Sequence, residues 1–373
     1  MKTLFFFKTL KLVTTNVEVS IFLSWILAIH IFELIVLPSM IVPTQVLSNL
    51  TLTQRLVGIW TTGADSIHYM NFAQTGFIPS AAPFFPLWPI VIRVLGASPI
   101  TIKIAVTILT FLFIFLFSKL MKNLGYGKVR KEAIVAFLAF PVSFMLLAAM
   151  TEPLFLVLAV TTFLFAEKRR FLAAAIFAAL ASATKLFGIV LTLYLFLKIM
   201  EGGFSNFKKW WWILLISPMG LIIYSLYLHF AFGDFLLFYK GSAGWGRHLG
   251  ISAIGALFNE SRDLIFQLVG PVKPLAMNLI QFGSILFFLA ILVISYKKIN
   301  KALWIYSLLS VALPLASGTF QGIPRYILPA FPLFMTFGAY LSKNTGQYYL
   351  YIFLSLLLQS IIIIRFFNFE WVS

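Results

Sequence analysis

Long apolar runs recur along the whole chain and constrain its fold more than any other feature. One of them, residues 21–39, reads IFLSWILAIHIFELIVLPS, and comparable runs follow at intervals up to residue 366. Hydrophobic residues make up 61% of the 373-residue chain, well above the roughly 45–50% of an average soluble domain. One buried core cannot absorb that excess. The pattern therefore predicts an all-α polytopic membrane protein, because helices satisfy their own backbone hydrogen bonds within lipid.

The apolar runs predict about eleven transmembrane helices. Several are nearer to about 15 than to about 20 residues, so we expect tilted or paired helices among them. A further apolar stretch at 84–96 is too short to span and indicates a re-entrant or interfacial helix. The predicted spans cover residues 20–38, 99–118, 133–149, 153–166, 171–184, 186–199, 211–232, 276–296, 302–317, 326–342 and 348–366.

The basic residues predict the orientation of the chain. It carries 28 Lys and Arg against 11 Asp and Glu, a net charge of +17, and the cations cluster on every second connection between apolar runs. This distribution follows the positive-inside rule, so it indicates a topology signal and argues against a nucleic-acid partner. The N-terminus is then cytoplasmic. The membrane would be the plasma membrane of a prokaryote or the endoplasmic reticulum of a eukaryote.

The same topology places the other connections together on the external face. Each carries an acid or a base that topology does not require, and ionisable residues beside a membrane core are costly to desolvate. The sequence therefore predicts a single external site in one integral membrane domain covering residues 1–373. The external connections are residues 39–98, 151–153, 184–185, 233–275 and 317–326, the first and fourth of them long loops and the first holding the main polar motif.

That polar motif, TTGADSIHYMNF at residues 61–72, combines an acid with a helical pattern. Spacing places Asp65, His68, Tyr69 and Phe72 on one helix face. One interpretation is that Asp65 caps this helix while His68 and Tyr69 lie at the membrane interface. The other is that Asp65 is a general base, with His68 or Tyr69 contacting a phosphate or a sugar. The two interpretations are compatible.

Two charged residues stand in the short external turns. Glu152, next to Pro153, either complements a helix N-terminus or pairs with another group. Lys185 lies inside an apolar hairpin, where an ammonium group needs an anionic partner. Glu152 is one candidate for that partner, and a lipid phosphate is another.

Aromatic and basic residues dominate the remaining external segments. Trp245 and Arg247 belong to a glycine-rich loop, and Arg325 stands at the mouth of the tenth predicted span. Aromatic rings stack on sugars, and the arginine fork matches phosphate oxygens, so these residues are candidates for substrate binding. The aromatic residues Phe84, Phe85 and Trp88 indicate either an interfacial belt or a groove for a lipid tail.

Several common sites are missing from the sequence. It has no cysteine, which excludes disulfides and thiolate metal sites, and it carries no P-loop, no GxGxxG motif and no HExxH motif. We therefore expect no bound metal or soluble nucleotide cofactor. An activated donor that reaches the site through the membrane, such as a lipid-linked sugar, fits this pattern.

Six stretches, in chain order over about residues 60–340, resemble the PIG-V-like mannosyltransferases of the GT-C superfamily. The chain departs from the family pattern at three places: TTGA separates Trp60 from Asp65, Lys185 stands where the family has arginine, and Pro153 follows Glu152 where the family has serine. The stretches are ADSIHYMNFAQTGF downstream of Trp60, FFPLWPIVIRVLG, TEPLF, ATKLFGIVL, FGDFLLFYKGSAGWGR and PRYILPAFPLF.

The resemblance implies a GT-C-like fold and metal-independent transfer of a hexose, mannose in the first place, from a polyprenyl-phosphate sugar with inversion. The acceptor would be a hydroxyl of a glycan, a lipid or a protein. Asp65 would be the base. The implied substrate-binding residues are His68, Tyr69, Glu152, Lys185, Trp245, Arg247, Arg325 and Tyr326, and the implied lipid groove is formed by Trp60, Phe84, Phe85 and Trp88.

Two other functions compete with this one. A transporter or a flippase for lipid-linked sugars would place ionisable residues within the bilayer, and Glu33 in the first span fits that pattern unless it pairs with His30. A non-catalytic subunit of a membrane assembly is the third. It would be favoured if Asp65 faced away from the basic residues.

Overall fold

The computed structural model describes residues 16–36, 52–247, 250–269 and 276–370, and within these ranges it contains helices and no β-strand. The all-α prediction is therefore confirmed. The α-helices are α1 (Val17–Val36), α2 (Leu52–Thr62), α3 (Ser66–Thr75), α4 (Leu87–Val94), α5 (Pro99–Asn123), α6 (Arg130–Ala139), α7 (Glu152–Glu167), α8 (Phe171–Thr184), α9 (Val190–Met200), α10 (Gly203–Trp210), α11 (Ile213–Ile216), α12 (Met219–Phe232), α13 (Leu237–Lys240), α14 (Ser252–Val269), α15 (Ala276–Ser295), α16 (Lys301–Leu315), α17 (Ile323–Tyr326), α18 (Leu333–Leu341) and α19 (Thr345–Phe367).

Among the described helices, four are long and apolar enough to cross a membrane: α1, α5, α15 from Met277, and α19. A fifth candidate is the bent pair formed by Met219–Phe232 and Leu237–Trp245, whose two parts meet at 86°. Shorter apolar helices, α8, Leu186–Met200 and α16, lie between these. The chain thus has the long apolar helices of a multi-pass membrane protein, whereas the predicted number of eleven spans is not confirmed.

Prolines explain why several predicted spans are interrupted. The predicted span 133–149 stops as an α-helix at Ala139, two residues before Pro141, and the span 326–342 is broken around Pro329 and Pro332. Proline lacks a backbone N–H, and its ring disfavours helical geometry in the preceding residue. Short 3-10 helices lie at these breaks, at Ser143–Leu147 and Leu328–Ala330, and others are at Pro79–Ala81, Gly127–Val129, Leu186–Ile189 and Gly241–Trp245.

A core of aromatic side chains joins the long helices. Helix α7 packs between α5 and α8, and α18 packs on α6. Phe113 of α5 meets Phe137 of α6 at 5.2 Å and Phe331, just before α18, at 5.1 Å between ring centroids, and all three rings are buried. Edge-to-face contacts of this kind add to the energy of burial. This packing fixes the start of α7 and the end of α8, where Glu152 and Lys185 lie.

Candidate functional site

A tight turn between α2 and α3 places Asp65. Helix α2 ends at Thr62, Ala64 adopts a left-handed φ of 49°, and a Cβ atom on Gly63 would lie 2.6 Å from the Phe366 ring. Only glycine fits so close to that ring. The Asp65 carboxylate makes no capping hydrogen bond to α3, so the capping interpretation is wrong, and the carboxylate instead forms an ion pair with Arg325.

Arg325 joins this acid to the start of α7. Its guanidinium is buried and donates hydrogen bonds to the Tyr326 hydroxyl at 2.8 Å and to the Met150 sulfur at 3.1 Å. Its Nε also lies 3.5 Å from Glu152 Oε1. Burial alone would lower the pKa of Arg325, but the Asp65 carboxylate, followed by Tyr326 and Glu152, raises it well above its ordinary value. Arg325 is therefore a fixed positive charge that holds two carboxylates in place.

Glu152 pairs with Lys185, as the sequence indicated. Lys185 Nζ donates to Glu152 Oε1 at 2.7 Å, and both side chains are buried. Lys185 directly follows α8, and the chain turns back so closely that a Cβ atom on Gly188 would lie 2.3 Å from the Ser182 nitrogen. Burial raises the pKa of the Glu152 carboxyl, but the charges of Lys185 and Arg325 outweigh burial and lower that pKa below its ordinary value.

Three cationic side chains contact the Tyr326 ring. Lys185 Nζ lies 5.2 Å from the ring centroid, and the guanidinium carbons of Arg247 and Arg325 each lie 4.8 Å from it. Arg247 Nη1 also donates to the Ser317 hydroxyl at 3.0 Å. Within the described residues Arg247 has no carboxylate at ion-pair distance, whereas Lys185 and Arg325 do. The site therefore holds one cation more than it has acids to pair with.

An aromatic wall faces these charges. Between ring centroids, His68 lies 4.7 Å from Trp245 and 5.2 Å from Phe84. Phe84 in turn lies 4.9 Å from Trp245 and 5.2 Å from Tyr69. Trp245 Nε1 donates to the Ser80 carbonyl at 3.3 Å, which ties the glycine-rich loop to the first polar segment. Burial, followed by the charges of Asp65 and Glu152, raises the pKa of the Tyr69 phenol well above its ordinary value, so this hydroxyl stays protonated.

The charged group and the aromatic wall enclose a cavity of about 200 Å³. Glu152 and Arg325 lie behind its wall, where they hold Asp65 and Lys185, and His68 packs against its aromatic side. Most of the predicted substrate-binding residues thus meet in one place. The predicted site residues that line the cavity are Asp65, Tyr69, Phe84, Phe85, Lys185, Trp245, Arg247 and Tyr326.

Two of the predicted lipid-groove residues are instead buried and form hydrogen bonds that connect different segments of the chain. Trp60 Nε1 donates to Glu33 Oε1 at 3.0 Å, and Trp88 Nε1 donates to the Ala149 carbonyl at 3.0 Å. The Ala149 N–H in turn donates to the Trp60 carbonyl at 2.8 Å. Both indoles are fully buried, and neither is among the described residues that line the cavity. Trp60 and Trp88 therefore hold the segment that leads into Glu152, and the groove assignment is corrected for both.

A larger, apolar cavity of about 600 Å³ lies on the other side of the aromatic wall. Phe72 lines it and stands 5.2 Å from Phe84, which lines the polar cavity. Phe77, Leu87 and Tyr224 contribute further lining. Helices α8 and α12 form other walls of this cavity. The sequence did not predict these walls, because both helices have the composition of ordinary apolar spans and their pairing is a tertiary contact.

In the described part of the chain, no group of three or more His, Asp or Glu side chains is placed to hold a metal ion. Comparisons of the chain with protein-family models, with curated proteins and with solved structures find no match. What the site can do chemically follows from its own residues. It offers one carboxylate, one cation without an acidic partner, a protonated phenol and an aromatic wall beside an apolar cavity.

Proposed function

We propose that the protein is an integral membrane glycosyltransferase that moves a hexose, mannose in the first place, from a polyprenyl-phosphate sugar to an acceptor hydroxyl. One observation carries the proposal: the Asp65 carboxylate and the Arg247 guanidinium line the same small cavity. A carboxylate suits removal of the acceptor proton, and a guanidinium without an acidic partner suits a phosphate.

The proposed reaction is a single displacement at the anomeric carbon. The acceptor oxygen forms a bond to that carbon while the bond from the carbon to the phosphate oxygen breaks. Asp65 takes the proton of the acceptor hydroxyl, as the base does in inverting glycosidases. The leaving lipid phosphate gains negative charge, which Arg247 and Lys185 stabilise from the cavity wall. The chain's resemblance to GT-C mannosyltransferases supports the same roles.

The adjoining apolar cavity supports a donor that carries a lipid. At about 600 Å³ and with aromatic and aliphatic lining, it fits part of a polyprenyl chain. Phe72 and Phe84 stand between the two cavities, so a phosphate in the polar cavity and an isoprenoid in the apolar one would meet across this pair. Phe84 and Phe85 then contact the sugar end of the donor, because they line the polar cavity.

The contacts of Glu33 favour this function over a transporter. His30 Nδ1 lies 2.6 Å from Glu33 Oε2, and Trp60 donates to Oε1. Both oxygens of this buried acid therefore have partners within the protein. An acid satisfied in this way explains its place in the first apolar helix without an ion pathway.

The decisive experiment incubates the protein, reconstituted in lipid, with a panel of polyprenyl-phosphate hexoses and follows consumption of each donor by mass spectrometry. We expect one donor to be consumed by the wild type and left intact by Asp65→Asn. The matched control is Asp234→Asn, since Asp234 pairs with Lys240 and does not line the cavity. Full transfer by Asp65→Asn would remove the base assignment, and no consumption of any donor by the wild type would remove the function.

A further inference from the structure

A second polar cavity, of about 740 Å³, adjoins the site and has no role in the steps above. Helix α14 forms one of its walls, and residues 318–320 form another. Its volume exceeds that of the cavity around Asp65 and is large enough for a head group of several sugar rings.

Two chain segments separate this cavity from the one around Asp65. In the first, Trp245 and Arg247 line the Asp65 cavity while Gly246 lines the second cavity. In the other, Phe320 lines the second cavity and Gln321 the Asp65 cavity. Adjacent residues of these two segments line different cavities, so a ligand in the second cavity lies beside the cavity that Asp65 lines.

Helix α14 divides its residues between two environments. Three of its exposed apolar side chains, Ile254, Phe258 and Ile265, lie on one face, and Ile251 before the helix continues that face. Phe266, two turns after Asn259, is exposed as well. The opposite face lines the cavity with small and polar residues at helical spacing, from Ser252 through Gly255 and Asn259 to Asp263. A helix with this division lies with its apolar face toward lipid and its polar face toward the cavity.

The lining of the second cavity is acidic and amidic. Glu260, Asp263, Asn259 and Asn278 contribute to it, and none of its described lining residues is Lys or Arg. Asp263 forms an ion pair with the neighbouring Arg262 at 3.0 Å, whereas Glu260 has no cation at ion-pair distance within the described residues. Glu260 Oε2 accepts a hydrogen bond from the Phe320 N–H at 2.8 Å, which fixes the carboxylate at the partition. Carboxylates accept hydrogen bonds from hydroxyl groups and repel phosphates, whereas amides both donate and accept. This lining is therefore opposite in charge to the Asp65 cavity with its surplus cation.

We infer that the second cavity binds a neutral, hydroxyl-rich saccharide, which is the head group of the acceptor. The role as acceptor rests on the proposed function; the class of ligand rests on the cavity alone. The separation of charge then keeps the two substrates in different cavities, because the phosphate of the donor is attracted to Arg247 and repelled by Glu260. The acceptor is glycosylated at a hydroxyl that reaches across the partition to Asp65.

Gly255 gives a variant that fills the cavity without disturbing the helix. A Cβ atom there meets nothing within 4 Å, and Gly255 lines the cavity. Gly255→Leu therefore places a side chain in the cavity and raises helix propensity. The control is Gly346→Leu, at an exposed position of α19 where a Cβ atom also meets nothing within 4 Å.

The test measures ligand binding to full-length protein in lipid nanodiscs by saturation-transfer NMR. The probes are methyl α-mannoside, methyl β-glucoside, methyl α-galactoside and chitobiose, each compared with mannose 6-phosphate and glucose 6-phosphate, and with Ca²⁺ as a competitor. We expect at least one neutral saccharide to bind the wild type and Gly346→Leu, and to lose binding in Gly255→Leu. Asp263→Asn should weaken that binding about tenfold, because a charged acceptor of hydroxyl hydrogen bonds is lost.

The inference is overturned if no probe binds, if a neutral saccharide binds Gly255→Leu as well as the wild type, or if the phosphates bind in a manner that Gly255→Leu removes. A Ca²⁺ site that Asp263→Asn abolishes, with no saccharide effect, also overturns it. The proposed function fails separately. Saccharide binding that depends on Gly255, in a protein that consumes no polyprenyl-phosphate hexose, leaves the ligand class standing and removes only the role as acceptor.

Discussion

Asp65 and Arg325 lie 260 residues apart in the chain and form an ion pair beside the candidate cavity. Arg325 reaches Glu152 Oε1 as well, and Lys185 completes the group by donating to the same oxygen. The pair links the turn after α2 to the short helix α17, so it closes the site as well as orienting the base. Its members can be tested separately, because Asp65 faces the cavity and Arg325 lies behind it.

Replacing Arg325 with Met should destabilise the protein by about 3–5 kcal/mol, because Asp65 loses its ion-pair partner while Glu152 keeps only Lys185. Thermal unfolding in detergent measures this loss. The double variant Arg325→Met with Asp65→Asn should recover part of it, since the unpaired charge of Asp65 is then absent. Equal unfolding temperatures for Arg325→Met and the wild type would show that the pair does not hold the site together.

Glu152 should make stability depend on pH in a defined direction. Its folded-state pKa lies below the ordinary value of 4.5, so its contribution is fully present above that pH and is lost as pH falls through the lowered value. Unfolding temperatures of the wild type and Glu152→Gln, measured from pH 7 downward, should differ most near neutrality and converge below about pH 4.5. A difference that grows on acidification would contradict the assigned ion pairs.

Replacing Arg247 with Gln should weaken donor binding without destabilising the fold. Arg247 has no carboxylate partner within the described residues, so its removal leaves no acid unpaired. We expect the KM for the consumed polyprenyl-phosphate hexose to rise about tenfold, the effect of losing a charge-assisted hydrogen bond. Lys240→Gln is the matched control, a cation of the same loop that pairs with Asp234 instead. Equal KM changes in the two variants would show that no specific phosphate contact is made.

Trp60→Phe separates a structural role for this residue from a lipid-binding role. The change removes the indole donor and leaves Glu33 Oε1 without it, which should cost about 1–3 kcal/mol of stability. Because Trp60 is buried away from the cavity lining, the KM for the lipid donor should not change in the remaining folded protein. Trp211→Phe, at an exposed position, is the control and should be neutral. A raised KM with unchanged stability would restore the groove assignment.

Local sequence patterns predicted much of the site. The helix after Asp65, the pairing of Glu152 with Lys185 and that of His30 with Glu33 follow from spacing and from the cost of an unpaired charge in an apolar surrounding. The number of spans could not be predicted in the same way. Hydropathy measures how apolar a run is, and it does not show where prolines such as Pro141 divide that run into short helices.

The sequence by itself determined that this chain is helical and apolar, and that the charged residues of the site stand in the connections between its apolar runs. Only the tertiary structure decided which of those residues meet: that Arg325 pairs with Asp65, that Arg247 is left without an acid, and that Trp60 faces Glu33 instead of a lipid. The reason is physical. Hydrophobic periodicity and charge position act over a few residues, whereas an ion pair between residues 260 apart depends on how whole helices pack.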